Sequence, residues 1–326
     1  MNPPYPPDTA GRIMGKDFIA IPEVLNVGQA IEKIRAAHVP GKPSYVYVVD
    51  DSGHLNGVLF VRDLLFSPST KVLRELVRQD LVKVPVEMDQ EEVARLFQKH
   101  RLMALPVVDR QRRLVGVISA NDVSQIIQEE ATEDMLKVAG IGGGEESFKT
   151  PFTGSIRRRL PWLVLNIFLD CLAVSVIAYF EKTLQEVIAL AVILPIISDM
   201  GGNVGIQTVS VAVRELATGA ISFPDFWKIV GRELSVGFLN GFVLGLVLCG
   251  VGYIWKGNIF LGLVAGVALW INTVVASMVG AALPLIIKRR GLDPATASGA
   301  LLTTITDLSG FFLTLSFATF LIQHLK

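Results

Sequence analysis

The sequence predicts two parts of different class: an α+β module facing water, followed by an all-α membrane domain of five transmembrane helices. Three observations predict this. Charge is unevenly spread: residues 1–150 hold 21 of the 30 acids and 18 of the 30 bases, although the 326-residue chain is neutral overall. A segment beginning at Tyr45 recurs without gaps 59 residues later, at Ala104. After Thr150 the chain turns into apolar runs of about 20 residues or more, the length that crosses a bilayer.

The opening Met1–Asp8 is proline-rich, with neither a basic n-region nor an apolar h-region. It reads as an extended, mobile lead-in over residues 1–10, not a secretory signal. Within the repeat, Val49, Asp50, Leu55, Gly57, Val58 and Asp63 fall on Val108, Asp109, Leu114, Gly116, Val117 and Asp122. Helix-like apolar spacing precedes each copy, at Val27–Ala37 and Glu91–His100, and the first copy carries extra residues around Pro40–Pro43. Asp50-Asp-Ser-Gly53 and Asp109-Arg-Gln-Arg112 favour tight reversals between strands. Each unit thus reads helix, strand, turn, strand, helix, and two such units should pack as a pair.

This pattern resembles a tandem pair of CBS domains (a Bateman module) over residues 11–130, dividing near 72. That resemblance implies a Gly-x-x-Ser/Thr-x-x-Asp cleft for an adenosine nucleotide such as ATP. Gly116, Ser119 and Asp122 match it, while Phe60 replaces the hydroxyl in the first copy. One nucleotide site per chain is therefore expected, on Ser119 and Asp122. Read by itself, Asp122 is equally an ordinary helix cap. Glu129, Glu130, Glu133 and Asp134 follow on a helix, with like charges at i,i+4. They are either a solvated face or the place where a divalent cation neutralises the helix.

The connecting stretch 131–155, with Gly142-Gly-Gly144, leads to the membrane domain at 156–326. Five spans are expected: Leu160–Phe180, Leu184–Leu216, Ile229–Trp255, Ile259–Ile287 and Ala297–Leu325. The second is too long for one simple span, so Pro195 and Gly201-Gly202 should bend it and free backbone carbonyls near Asn203. Nine basic residues, among them Arg157–Arg159, Arg214 and Lys288–Arg290, fall on one side of the spans; Lys182, Lys256 and Lys326 fall on the other. The positive-inside rule then puts the N-terminal module in the cytoplasm and the C-terminus outside a multi-pass plasma (inner) membrane protein. Gly237, Gly241 and Gly245, like Gly262 and Gly266, recur every four residues, a pattern for close helix packing within a subunit.

The most informative residue is Asp307, in the last span. A mid-bilayer carboxylate costs about 2.5–3.5 kcal/mol and normally faces a protein interior or a watered path. Ala300, Thr303, Thr304, Gly310, Phe311 and Thr314 lie near it at helical spacing, a small and polar stripe that could line such a path. Asp199 and Asn203 are further candidate contacts. Oxygen donors without a soft Cys or Met cluster suit a hard cation such as Mg²⁺. Cys171 and Cys249 lie in apolar runs, which gives no disulfide framework. The scattered histidines lack a His-Glu-x-x-His pair, and no nucleophile–base pairing points to an enzyme. Nucleic acid is not an expected partner.

Arg158-Arg-Leu-Pro-Trp162, Pro195 with Met200-Gly-Gly-Asn203-x-Gly205-x-Gln207, Asn272, Pro284, Leu292-Asp-Pro-Ala295 and Thr303-Thr-x-x-Asp307 together resemble the MgtE family of bacterial magnesium channels. The resemblance implies a homodimer with an axial pore lined by the second and fifth membrane helices, with Asp307 as the main Mg²⁺ site. It implies closure by cytosolic Mg²⁺ bound among acids that map to Asp122, Glu129, Glu130, Glu133 and Asp134, modulated by adenosine nucleotide. Many members carry an acidic helical domain before the CBS pair, where this chain has a proline-rich stub. Gating at higher Mg²⁺, or with a shallower response, is expected from that. Another divalent cation (Co²⁺, Mn²⁺, Ca²⁺), or a non-conducting nucleotide or Mg²⁺ receptor, is the alternative.

Overall fold

The computed structural model describes residues 5–37 and 44–325. The stretch around Pro40–Pro43, the start of the lead-in and Lys326 lie outside the described residues. The chain divides into two compact units, Met1–Glu130 and Ala131–Lys326.

The first unit runs α1 (Ala10–Ile13), β1 (Ala20–Pro22), α2 (Val27–Ala36), β2 (Tyr45–Val49), β3 (Leu55–Phe60), α3 (Val61–Leu65), β4 (Val84–Pro85), α4 (Gln90–His100), β5 (Ala104–Val108), β6 (Leu114–Ser119) and α5 (Ala120–Val138), the last continuing past the unit boundary. Each repeat forms a three-stranded sheet, β1-β2-β3 and β4-β5-β6, in which the hairpin is antiparallel and the leading strand parallel. The leading strands β1 and β4 were not expected. The hairpins close as the turn residues dictate: Asp50 accepts from the backbone N–H of Ser52 and His54, and Asp109 from those of Gln111 and Arg113. Asn26 caps α2 through a reciprocal bond pair with Gln29, and Asp89 caps α4.

The two copies are interlocked. Backbone at Gly15, ahead of the first copy, exchanges both bonds with Val117 of the second copy. Arg78, ahead of the second copy, does the same with Val58 of the first. The crossing segments explain the repeated glycine: a Cβ on Gly57 would stand 2.6 Å from the Arg78 carbonyl, and one on Gly116 would run into Met14. Each crossing segment adds one bridge to the edge of the other copy's sheet, so the two copies are bonded to each other through main chain.

The second unit contains α6 (Phe152–Tyr179), α7 (Glu181–Glu186), α8 (Leu190–Ala217), α9 (Phe226–Lys256), α10 (Ile259–Arg289), α11 (Pro294–Phe320) and α12 (Ile322–Leu325). Five of these, α6, α8, α9, α10 and α11, are long and apolar enough to cross a membrane. Helix α10 is the hub, packing on α8, α9 and α11, while α6 lies on α11. The glycine runs serve the α9–α10 contact, as expected: a Cβ on Gly241 or Gly245 would meet the carbonyl of Trp270 or Gly266 at 2.7 or 2.6 Å.

One expectation is corrected. The second span does not loosen at Pro195 or the glycine pair, and no carbonyls are freed around Asn203. The break falls at residues 187–189, and α8 is continuous from Leu190 to Ala217. Its first turn is tightened by i→i−3 bonds from Leu190, Ala191 and Val192. A proline loses its own N–H and crowds the carbonyl one turn back, and packed membrane helices tolerate both.

Candidate functional site

Asp307 stands half-buried in α11, and its Oδ1 accepts a 2.5 Å bond from the Ser198 hydroxyl of α8. Two sequence-distant helices thus meet at this carboxylate. Its other oxygen has no hydrogen-bond partner among the described residues. Beside this pair lies Asn272 of α10, fully buried. Its Nδ2 donates to the Ile197 carbonyl at 3.3 Å and its Oδ1 accepts from Ser309 Oγ at 2.5 Å.

The stripe expected around Asp307 is divided. Ala300 and Thr303 share its half-buried face, but Thr304, Gly310, Phe311 and Thr314 are buried in the bundle. They pack helices and do not line a path. The hydroxyls of Thr303 and Thr304 donate to carbonyls one turn back, Gly299 and Ala300, at 3.0 and 2.9 Å.

On α8, Asp199 and Asn203 are exposed one turn apart and joined by a 3.1 Å bond from Asn203 Nδ2 to Asp199 Oδ2. Gln207, Ser210 and Arg214 continue the same exposed line. Five polar side chains along one face of a membrane-length helix are costly against hydrocarbon, so this face requires cover or water.

Sequence reasoning passed over Asp170. It lies exposed in α6, the helix that packs on α11. A lone acid in an apolar run was the signal available. Lys137 was likewise missed. From α5 it reaches Glu133 at 2.6 Å and Asp293 at 2.8 Å. Asp293 is the N-cap of α11: it accepts from the Ala295 N–H, and Pro294 holds the first helical position. Burial works against the Lys137 charge, yet its bonds to Asp293 and Glu133 hold its pKa above the ordinary range. Burial would raise Asp293, but Lys137 and the cap bonds outweigh it and hold that carboxyl below its usual value.

Among the described residues, no three His, Cys, Asp or Glu side chains converge on one metal-ligating point. The acids of α5 have neighbours within their own chain: Glu129 accepts from Gln125, Glu130 from Gln90, and Glu133 pairs with Lys137, while Asp134 is also engaged. Ser119 and Asp122 do come together. Asp122 Oδ2 accepts from both the N–H and the hydroxyl of Ser119 at 2.7 Å, a cap on α5. In the first copy, Asp63 lies instead near Arg62 and Arg78, whose guanidinium groups cover Phe60.

The family model for MgtE, described as a divalent cation transporter, matches residues 194–317, and that for the CBS domain matches residues 10–69 and 73–129. The magnesium transporter MgtE of Bacillus subtilis (strain 168) is 34% identical over 322 residues, covering 98% of this chain and 71% of that protein. The magnesium transporter MgtE of Thermus thermophilus is 35% identical over 321 residues, with the same two coverages of 98% and 71%. A crystal structure of the cytosolic domain of the Mg²⁺ channel MgtE in complex with ATP is 37% identical over 37% of this chain and 50% of that one, with a TM-score of 0.36.

Proposed function

This chain belongs to the MgtE family of divalent cation transporters, and from that premise we propose that it passes Mg²⁺ across the plasma (inner) membrane, down its electrochemical gradient. Asp307 is the carboxylate of the path. The observation that carries this reading is a half-buried acid in a membrane-length helix, braced by one hydroxyl and with an oxygen to spare. Mg²⁺ sheds water reluctantly, so the carboxylate meets a hydrated ion through its water shell. Thr303 adds a hydroxyl oxygen one turn away.

Two copies make the path. The polar line Asp199–Asn203–Gln207 is exposed in one chain, and a second α8 across a two-fold axis would turn it inward onto water. The CBS pair is cytoplasmic and the C-terminus outside. Regulatory Mg²⁺ acts through Asp122, Glu129, Glu130, Glu133 and Asp134. Because these do not converge within one chain, each such ion is shared with acids of the second copy. Adenosine nucleotide at Ser119 and Asp122 modulates the response, its ribose competing with the α5 cap.

The test is ion flux in proteoliposomes, wild type against Asp307→Ala, with Co²⁺, Mn²⁺ and Ca²⁺ run beside Mg²⁺. Magnesium flux abolished in a folded variant is the expected result. Wild-type flux from Asp307→Ala would overturn the reading, and a preference for another ion would reassign the cargo.

A further inference from the structure

Helices α8, α10 and α11 converge on one buried amide. Asn272 has no exposed surface, and its two bonds reach a different helix at each end: the Ile197 carbonyl of α8 and the Ser309 hydroxyl of α11. Ile197 precedes Ser198, the donor to Asp307, and Ser309 follows Asp307 by two positions. Space for the amide is made by glycine on both partner helices. A Cβ on Gly310 would stand 2.9 Å from Asn272 Nδ2, and one on Gly201 would overlap the same atom.

We propose that Asn272 is a positioning residue for cation passage, setting the rotation of α8 and α11 so that Ser198 and Asp307 meet in a fixed geometry. Residues two apart on a helix point about 200° apart, so Ser309 faces α10 when Asp307 faces α8. Holding Ser309 therefore holds the azimuth of Asp307. On α8 the amide grips main chain beside Ser198, which side-chain repacking cannot substitute. A buried amide is costly unless its polar atoms are bonded, so the grip is either made in full or the three helices shift. The inference rests on Asp307 being the path carboxylate.

Four single variants and one double, reconstituted as full chains, test it: Asn272→Ala, Ser309→Ala, Ser198→Ala, Asp307→Asn and Asn272→Ala with Ser198→Ala. The readouts are the half-saturating Mg²⁺ concentration, discrimination against Ca²⁺, and thermal stability. Asn272→Ala should raise half-saturation by about three- to tenfold, the worth of a net hydrogen bond, and weaken discrimination. Ser309→Ala removes one arm, leaves the Asn272 bond to the Ile197 carbonyl intact and shifts both readouts less, in the same direction; it decides the matter should Asn272→Ala not fold. The double variant should be no worse than its worse single, because both act through one geometry. Additive effects, or lowered stability with wild-type half-saturation and discrimination in both the Asn272 and Ser309 variants, would overturn the proposal. If Asp307→Asn conducts normally, the path reading itself has failed. If Asp307→Asn is dead while Asn272→Ala and Ser309→Ala are silent, only the positioning role has.

Discussion

Asp109 and Asp307 carry the same side chain, and the two units of the molecule hold it differently. Asp109 accepts from two backbone N–H groups within four residues of itself. Asp50 does the same in the first copy, where bonds from the His54 side chain and backbone keep its carboxyl below the usual range. Asp307 instead accepts from a hydroxyl 109 residues away. In the CBS unit, solvent meets whatever valence the turn leaves unused. In a bilayer there is no such solvent, and a carboxylate there must be supported by remote protein groups, water or an ion. Local backbone partners hold the turn carboxylate Asp109 in place; a single remote hydroxyl holds Asp307.

The comparison can be broken most sharply by the same substitution in both places. Asp307→Asn should lower Mg²⁺ flux into proteoliposomes at least about tenfold, since hydrogen bonds to charged groups are worth ~1.5–3 kcal/mol. Asp109→Asn should leave flux within about twofold, the usual effect of a substitution away from a site.

Next in size is Gly57→Ala, whose Cβ meets backbone that cannot yield. It should destabilise the CBS unit by about 1–3 kcal/mol, seen as a lower first transition on thermal unfolding of the whole chain in detergent.

Lys137→Met sharpens the contrast from the other side, because it removes a local clamp in the second unit. A loss of about 1 kcal/mol is expected after allowing for partial exposure. Its pH dependence has a definite sign. Asp293 is depressed, so its share is present above about pH 3.9, the unfolded value, and is lost as pH falls through the lower folded one. Lys137 is raised, so its share is full below about pH 10.4 and is lost as pH rises through the higher folded one. Thermal shifts of wild type against Lys137→Met should therefore differ by a constant amount from about pH 5 to 9 and converge at both extremes.

The smallest effect is Asp170→Asn. Acting only through its charge, it should change flux about twofold, more at low ionic strength than at high.

How much of this was legible in the sequence follows the same division. The repeat gave away both hairpins and their turns, because Asp50 and Asp109 act on backbone within four residues. Strands β1 and β4 escaped, being 3 and 2 residues long with a proline in each, too short to show alternation. In the membrane unit, Asp307 declared itself by the cost of a charge in lipid. The break in the second span was misplaced because Pro195 reads as a breaker in water, while the chain turns at Val187–Ala189, which carries no proline or glycine. The buried part of the expected stripe, Thr304, Gly310, Phe311 and Thr314, looked like path lining because helical spacing names a face without naming what covers it. Ser198, Asn272 and Lys137 have partners 75 residues or more away, at Asp307, Ile197 and Asp293, and no local pattern encodes such pairings.

The most direct measurement is anomalous diffraction from crystals of the full chain grown with Mn²⁺ in place of Mg²⁺. The account predicts a peak beside α11, between the Asp307 carboxylates of two copies, at a distance that leaves room for a water shell around the ion. A map with peaks elsewhere and none near Asp307, in crystals where both side chains are ordered, would contradict it.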